Sequence, residues 1–356
     1  MIRAKTIAAS VTVLLGLGAG AFAQDVRLQG GGATFPAPIY QRWVTEYQRL
    51  HPEVKIDYQE IGSGGGIKGI TDKTFDFAGS DAPLSKKELA KAGGAPSLVE
   101  IPTVAGAVVV AYNLPGYKGE LKLDGPTLAG MYLGAIKTWH DPKITALNPG
   151  TNLPNLPITP VYRTDGSGTN YIWTNYLCGQ SAEFNGTIGS GKTVEWPLGS
   201  GGPQNAGVTQ IVQQTRGAIG YVELAYALQN RIPYAVLKNK DGNFVRPTGE
   251  SVSMAGEGAV GNMKSNILAA DIWNQPGAKA YPISSFTYII VHKDLGILKD
   301  QRKAQALVQF LRWATTDGEK MAEQLDYAPL SPGVQKKVRQ ALDSLTLDGK
   351  PVATAR

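Results

Sequence analysis

The chain has 356 residues, with 35 Lys and Arg against 29 Asp and Glu, giving a formal net charge of +6. Apolar residues make up 42% and charged residues 18%, with no G-x-y period and no Gln/Asn tract, which excludes a collagen-like, disordered or coiled-coil protein. The positive charge is spread out instead of forming a basic block, so nucleic acid is not indicated; at about 100–200 residues per domain, the length predicts two.

In chain order, Arg3 and Lys5 precede an apolar run from Ile7 to Phe22 that ends Ala21-Phe22-Ala23 before Gln24. A positive segment, an apolar segment and an A-x-A site predict a signal peptide, residues 1–23, cleaved after Ala23. The run is short and rich in small residues for a membrane anchor, and no later run is long enough to span a bilayer. No cysteine follows the cleavage site to carry a lipid, so an exported, soluble, periplasmic protein is expected. The only thiol, Cys178, excludes an intramolecular disulfide and reads as a small core residue.

Ile39, Trp43 and Tyr47, with Tyr40 and Val44 alongside, predict an amphipathic helix to Leu50, started by Pro36 and Pro38. The alternation Val54, Ile56, Tyr58 predicts a strand, followed by a glycine-rich turn over Gly62 to Gly66 and a helix from about Ile67. Ser85 is placed to cap a helix over Lys86 to Lys91. The β-branched run Val104 to Tyr112 reads as a buried strand, as does Phe286 to Val291, and the two are candidate crossings between lobes. Between them lie helices over Thr127 to Trp139 and Tyr171 to Leu177, and a flexible loop over Gly199 to Gly202. Ala306, Leu307, Phe310, Leu311 and Ala314 predict a helix packing back on the N-terminal part, and the tail from Asp348 is expected to fray. Strands alternating with helices indicate an α/β protein.

Gly186, Gly191, Lys192 and Thr193 fit the P-loop pattern, but no apolar strand precedes them and Glu195-Trp196-Pro197 interrupts a following helix. His51, His140 and His292 lack partners at ligand spacing, so no metal site is expected, and no G-x-S-x-G elbow offers a nucleophile. Three Gly/Ser/Thr loops before helices remain: Gly30 to Phe35, Gly62 to Gly66, and Arg163 to Asn170. Small residues and helix N-termini suit an anion cradle, although Ser63, Ser167 and Thr169 also read as helix caps. The planar fork of Arg163 suits a tetrahedral oxyanion, with Asp165 placed to hold it.

Taken together, Gly32-Ala33-Thr34-Phe35-Pro36-Ala37-Pro38, Ile61-Gly62-Ser63 with Gly65-Gly66, Ser80-Asp81-Ala82-Pro83-Leu84, and Arg163 followed by Asp165-Gly166-Ser167-Gly168-Thr169 resemble the phosphate-binding proteins of high-affinity phosphate ABC importers. Tyr132-Leu133-Gly134 and Gly217 to Glu223 extend the resemblance in the same order. It implies a two-lobed, type II periplasmic-binding-protein-like fold. Each lobe would be a β-sheet flanked by helices, joined by a two-strand hinge, with 24–108 and 286–356 as lobe I and 109–285 as lobe II. By position it implies phosphate contacts from Ala33, Thr34, Phe35, Ser63 and Asp81 and from Arg163, Ser167, Gly168 and Thr169, with Asp165 behind the arginine. Gly64 stands where many relatives have a second serine. The implied protein is a non-enzymatic, cofactor-free monomer that binds phosphate, and arsenate as its isostere, and docks on an importer permease.

Asp81 gives the physics of selectivity, because phosphate at neutral pH keeps a proton for a buried carboxylate to accept and sulfate does not. The alternatives are an exported phosphoester-processing enzyme and a binder of sulfate, molybdate or tungstate.

Overall fold

The computed structural model describes residues 25–263 and 268–353, so the predicted signal peptide lies outside the described residues. Among those residues no helix is long and apolar enough to cross a membrane. The first segment runs β1 (Val26–Gly32), α1 (Ala37–Leu50), β2 (Val54–Glu60), α2 (Gly62–Thr71) and β3 (Phe77–Ser80). The long strand β4 (Leu98–Tyr112) leads to a second such segment: β5 (Thr159–Arg163), α3 (Gly168–Gln180), β6 (Ser200–Gly202), α4 (Gln204–Gln214) and β7 (Ala218–Glu223). Strand β8 (Ser284–His292) and helix α5 (Gln301–Ala314) return the chain to the first segment.

These strands form one sheet in the order β2-β1-β3-β8-β4-β7-β5-β6. Pairing is parallel within β2-β1-β3 and within β7-β5-β6, where helices make the crossovers. It is antiparallel at the three central pairs, so two parallel halves are joined through β8 and β4. Every residue of β4 is buried, as the apolar run Val104 to Tyr112 predicts for a strand covered on both faces, and the strand begins earlier than that run, at Leu98, taking in Glu100 and Thr103. Leu98 to Ala107 of β4 pair with β8, whereas Val108 to Tyr112 pair with β7, so this one strand belongs to both halves.

The helices follow their apolar stripes. On α1, Ile39, Tyr40, Trp43, Val44 and Tyr47 are buried, and the indole of Trp43 donates to Gly318 O at 2.8 Å. On α5 the predicted stripe is buried and Phe310 meets Tyr47 and Phe77, with ring centroids 5.2 and 6.2 Å apart, so this helix does pack on the N-terminal strands. Ser85 caps Lys86–Lys91 in a full capping box with Glu88.

Five local expectations are corrected. The glycines from Gly62 to Gly66 are not a turn but the first half of α2. Their use is close approach: a Cβ on Gly66 would sit 2.7 Å from Gly31 O, Gly32 Cα and Gly79 O. Gly199 to Gly202 is not a free loop, because Ser200–Gly202 adds a parallel edge strand to β5. The helix expected to reach Trp139 stops at Leu133, where Gly134 takes the left-handed conformation (φ 76°) of a C-cap. The tail pairs as a short hairpin, Thr346–Leu347 with Lys350–Pro351, held by Asp348 and Gly349 N–H groups on the Asp294 carboxylate. Cys178 is half-buried against the core, not within it.

Close packing of α2 on the sheet makes Gly66→Ala cost about 1–3 kcal/mol of stability, the usual range for overpacking. Gly186→Ala, in the helix Ala182–Thr187 with nothing within 4 Å of the added carbon, should be neutral or slightly stabilising. Denaturant midpoints at constant m-value measure both; equal midpoints for the two variants would contradict the packing argument.

Candidate functional site

After β1 the chain turns over Ala33, Thr34 and Phe35, all buried. Three tyrosine hydroxyls capture the three successive carbonyls: Tyr58 donates to Ala33 O at 2.8 Å, Tyr226 to Thr34 O at 2.7 Å and Tyr327 to Phe35 O at 2.7 Å. Because a trans peptide unit is planar, fixing a carbonyl aims the next N–H the opposite way. The Thr34 and Phe35 N–H groups have no acceptor among the described residues, though Thr34 is 1% and Phe35 0% exposed. Buried backbone donors are almost always paired, so two adjacent unpaired ones mark a place where an acceptor belongs.

Ser63, in the first turn of α2, faces Asp81 just beyond β3. Its hydroxyl oxygen accepts from Asp81 N at 3.2 Å and from Gly168 N at 3.1 Å, and it lies 3.5 Å from Asp81 Oδ2 as donor. Thr287 on β8 donates to the other carboxylate oxygen, Oδ1, at 2.7 Å. Burial pushes the Asp81 carboxyl up to about 7, against the opposing pull of the Thr287 bond, the Arg163 charge and the Ser63 bond. Gly168 opens α3 directly against this pair, and a Cβ there would stand 2.5 Å from both Asp81 Oδ2 and Ser63 Oγ. Only glycine fits.

Arg163 ends β5 with its side chain 1% exposed. Asp165 takes one edge of its guanidinium, with Nε to Oδ1 at 2.8 Å and Nη2 to Oδ2 at 2.6 Å. The fork expected to meet an oxyanion is therefore half occupied, and the outer Nη1–Nη2 edge is the one left to a ligand. Burial raises the Asp165 carboxyl, but the Arg163 bonds and charge, with the Gln204 N–H, outweigh it and hold it below its ordinary value. Arg163 Nη1 lies 3.4 Å from Thr169 Oγ1, and Asn205 Nδ2 lies 3.4 Å from the same oxygen and 2.7 Å from Thr34 Oγ1. The Thr169 N–H, in the first turn of α3, likewise has no acceptor among the described residues.

All the predicted site residues thus meet around one point, with Asp165 behind Arg163. Ser167 does serve as the N-cap of α3, accepting from Asn170 N at 3.0 Å, and keeps its own hydrogen to give. Ser63 and Thr169 are inside helices and cap neither. Sequence reasoning missed Asn205, Thr287 and the three tyrosines. Thr287 had only a weak signal, since its buried strand also carries Ser284, Ser285, Tyr288 and His292; the tyrosines had none, because their role lies in a distant carbonyl. Lys192 of the P-loop-like pattern faces Glu88 at 2.8 Å, and a helix, not a strand, precedes it. No group of three or more potential metal ligands occurs among the described residues. Two of the histidines contact carbonyls: His140 Nδ1 is 3.3 Å from Leu153 O and His292 Nε2 is 3.0 Å from Ile70 O.

A family profile described as the PBP superfamily domain matches residues 19–318. A phosphate-binding protein PstS from Xylella fastidiosa is 42% identical over 317 residues, 88% of this chain and 84% of the relative. One of the same name from Haemophilus influenzae is 40% identical, covering 92% and 95%. Among solved structures, the fold is similar to a high-affinity periplasmic phosphate-binding protein, PfluDING, bound with phosphate: TM-score 0.67, 21% identity, 88% and 93% coverage.

The buried carboxyls give the ligand-free protein a defined pH dependence. Burial raises Asp81, Glu100 and Glu319 to about 7 and Glu223 well above its ordinary value. Between pH 4 and 7 the native state then holds more protons than the unfolded chain, so these groups make stability fall as pH rises through that window. Asp81→Asn removes one of them. Its stability relative to wild type should be more favourable at pH 7 than at pH 5 in denaturant titrations, and an equal difference at both would contradict the raised Asp81.

Proposed function

The chain belongs to the PstS family of phosphate-binding proteins, and on that premise we propose that it captures inorganic phosphate between two lobes in the periplasm and delivers it to an ABC importer. The observation that carries this reading is a buried set of donors with one acceptor: the free N–H groups of Thr34, Phe35 and Thr169 and the outer edge of Arg163 surround a point that Asp81 also faces. Hydrogen phosphate has four oxygens to be donated to and one hydrogen to give, which is the complement of that set. The hydroxyl hydrogens of Thr34, Ser167 and Thr169 add donors, Ser63 turns its own from Asp81 Oδ2, 3.5 Å away, to the ligand, and Ala33 shapes the turn.

The lobes are read as 24–108 with 286–356 and as 109–285. The change of partner along β4 between Ala107 and Val108 supports that division. Several contacts reach across it: Gly64 N to Gly166 O at 2.7 Å, Tyr226 to Thr34 O, Gln204 to Glu60 O, and the Glu88–Lys192 pair. This is a closed arrangement, and closure excludes water and strengthens each contact to the anion. The closed surface is the one a permease would recognise, arsenate is accepted as an isostere, and the working unit is a monomer. In this reading the cradle holds its ligand with donors and the Asp81 carboxylate, and the protein binds without turnover.

Calorimetry with phosphate, arsenate, sulfate and molybdate tests the reading. Tight phosphate and arsenate binding with little for sulfate is expected; sulfate competing at equal concentration would overturn the role of Asp81. Arg163→Ala removes charge-assisted hydrogen bonds, each worth about 1.5–3 kcal/mol, and strands Asp165, so phosphate affinity should fall by at least about 100-fold. Asp81→Asn should narrow the gap between phosphate and sulfate. Phosphatase turnover abolished by Arg163→Ala would instead make the protein an enzyme.

A further inference from the structure

We propose that Thr287 is a positioning residue for anion selectivity: its hydroxyl, aimed by a β-bulge between the two crossing strands, claims one oxygen of Asp81 and leaves the other to read the ligand's proton. The inference rests on the phosphate-binding reading above.

The register of β4 against β8 runs Thr287 to Val104 and then Tyr288 to Pro102, so Thr103 is an extra, unpaired residue. A bulge of this kind bends a strand and re-aims a side chain. Here the extra residue pins its neighbour, with Thr103 Oγ1 donating to Thr287 O at 3.2 Å and itself 2.7 Å from Tyr40 OH. Thr287 is fully buried, and its branched Cβ restricts χ1. With backbone and rotamer fixed, its hydroxyl reaches Asp81 Oδ1 at 2.7 Å, and the carboxylate plane turns Oδ2 toward Ser63 and Gly168.

A hydroxyl donating to Oδ1 also favours the ionised carboxylate. The other titratable and charged groups around Asp81 are Arg163, Tyr40, Tyr58 and Tyr327; burial raises all three tyrosines, so they stay neutral and Arg163 is the one charge facing it. Without the Thr287 bond, Asp81 keeps its proton to higher pH. A protonated Asp81 donates, and then welcomes a fully deprotonated oxyanion such as sulfate. Thr287 thereby sets the pH below which discrimination fails.

The test is sulfate competition against phosphate from pH 5 to 9, by calorimetry, on wild type, Thr287→Val and Thr287→Ser, with Thr287→Ala as a second hydroxyl-less variant should valine not fold. Expected is an upward move of about one pH unit in the onset of sulfate competition for valine or alanine, with serine matching wild type. An unchanged onset without the hydroxyl, or the same move in Thr287→Ser, overturns the proposal. Wild type that fails to bind phosphate overturns the functional reading itself, whereas wild type that binds and discriminates beside unaltered Thr287 variants overturns this inference alone.

Discussion

Three tyrosine hydroxyls hold the carbonyls of Ala33, Thr34 and Phe35, and the proposed anion cradle depends on that capture. Peptide N–H groups are good anion donors only when they are already aimed, since aiming them at the moment of binding would cost backbone entropy of about 1–2 kcal/mol per residue. Burial raises all three phenols above their ordinary range, which keeps them donors across the physiological scale. The three come from different places: Tyr58 from β2 beside the turn, Tyr327 from the C-terminal segment, and Tyr226 from beyond β7 in the other half of the sheet. The plane that aims the Phe35 N–H is therefore completed by the opposite half, so docking of the halves and formation of the cradle are one event.

Electrostatics explains why so many neutral donors are needed. Arg163 already faces Asp165 at contact distance, and Asp81 is a second buried carboxyl. The fixed charges alone give no excess of positive charge to attract a dianion, and a second cation would be spent against the carboxylates. Dipoles avoid that difficulty: unpaired N–H groups at the first turn of α3 and in the turn after β1 stabilise negative charge without neutralising it. The same arrangement separates the roles of two acids of one kind. Asp165, bonded by a guanidinium, is held below its ordinary value, while Asp81, whose carboxylate accepts only from the Thr287 and Ser63 hydroxyls, is raised by burial.

Much of this was legible in the residue order, and what was not has a physical reason. Contiguous signals survived: the apolar run of β4, the stripes of α1 and α5, the Ser85 cap, and the three Gly/Ser/Thr loops whose residues converge. Glycine misled twice. At Gly62 to Gly66 and Gly199 to Gly202 the local preference is for turns, and tertiary contact overrode it because only a bare backbone could approach a second backbone that closely. Partners far apart in sequence left no local trace, as with Asn205 between Thr34 and Thr169, or Tyr327 on Phe35 O. The half-occupied fork of Arg163 also escaped the sequence, since spacing places Asp165 near the guanidinium but not on a particular edge.

The division of β4 between two sets of partners has a consequence for the order in which the protein assembles. Strands β5 to β7 and their helices are contiguous, so that half can form from a single stretch of chain. The first half is different: β3 and β4 are separated by β8, and the Thr103–Thr287 contact that pins the bulge spans 184 positions. Loop closure over such a length is entropically expensive and slow. The N-terminal strands therefore wait, unfinished, until nearly the whole chain has been made, and the proposed anion site, which draws on both halves, is the last thing to come into being.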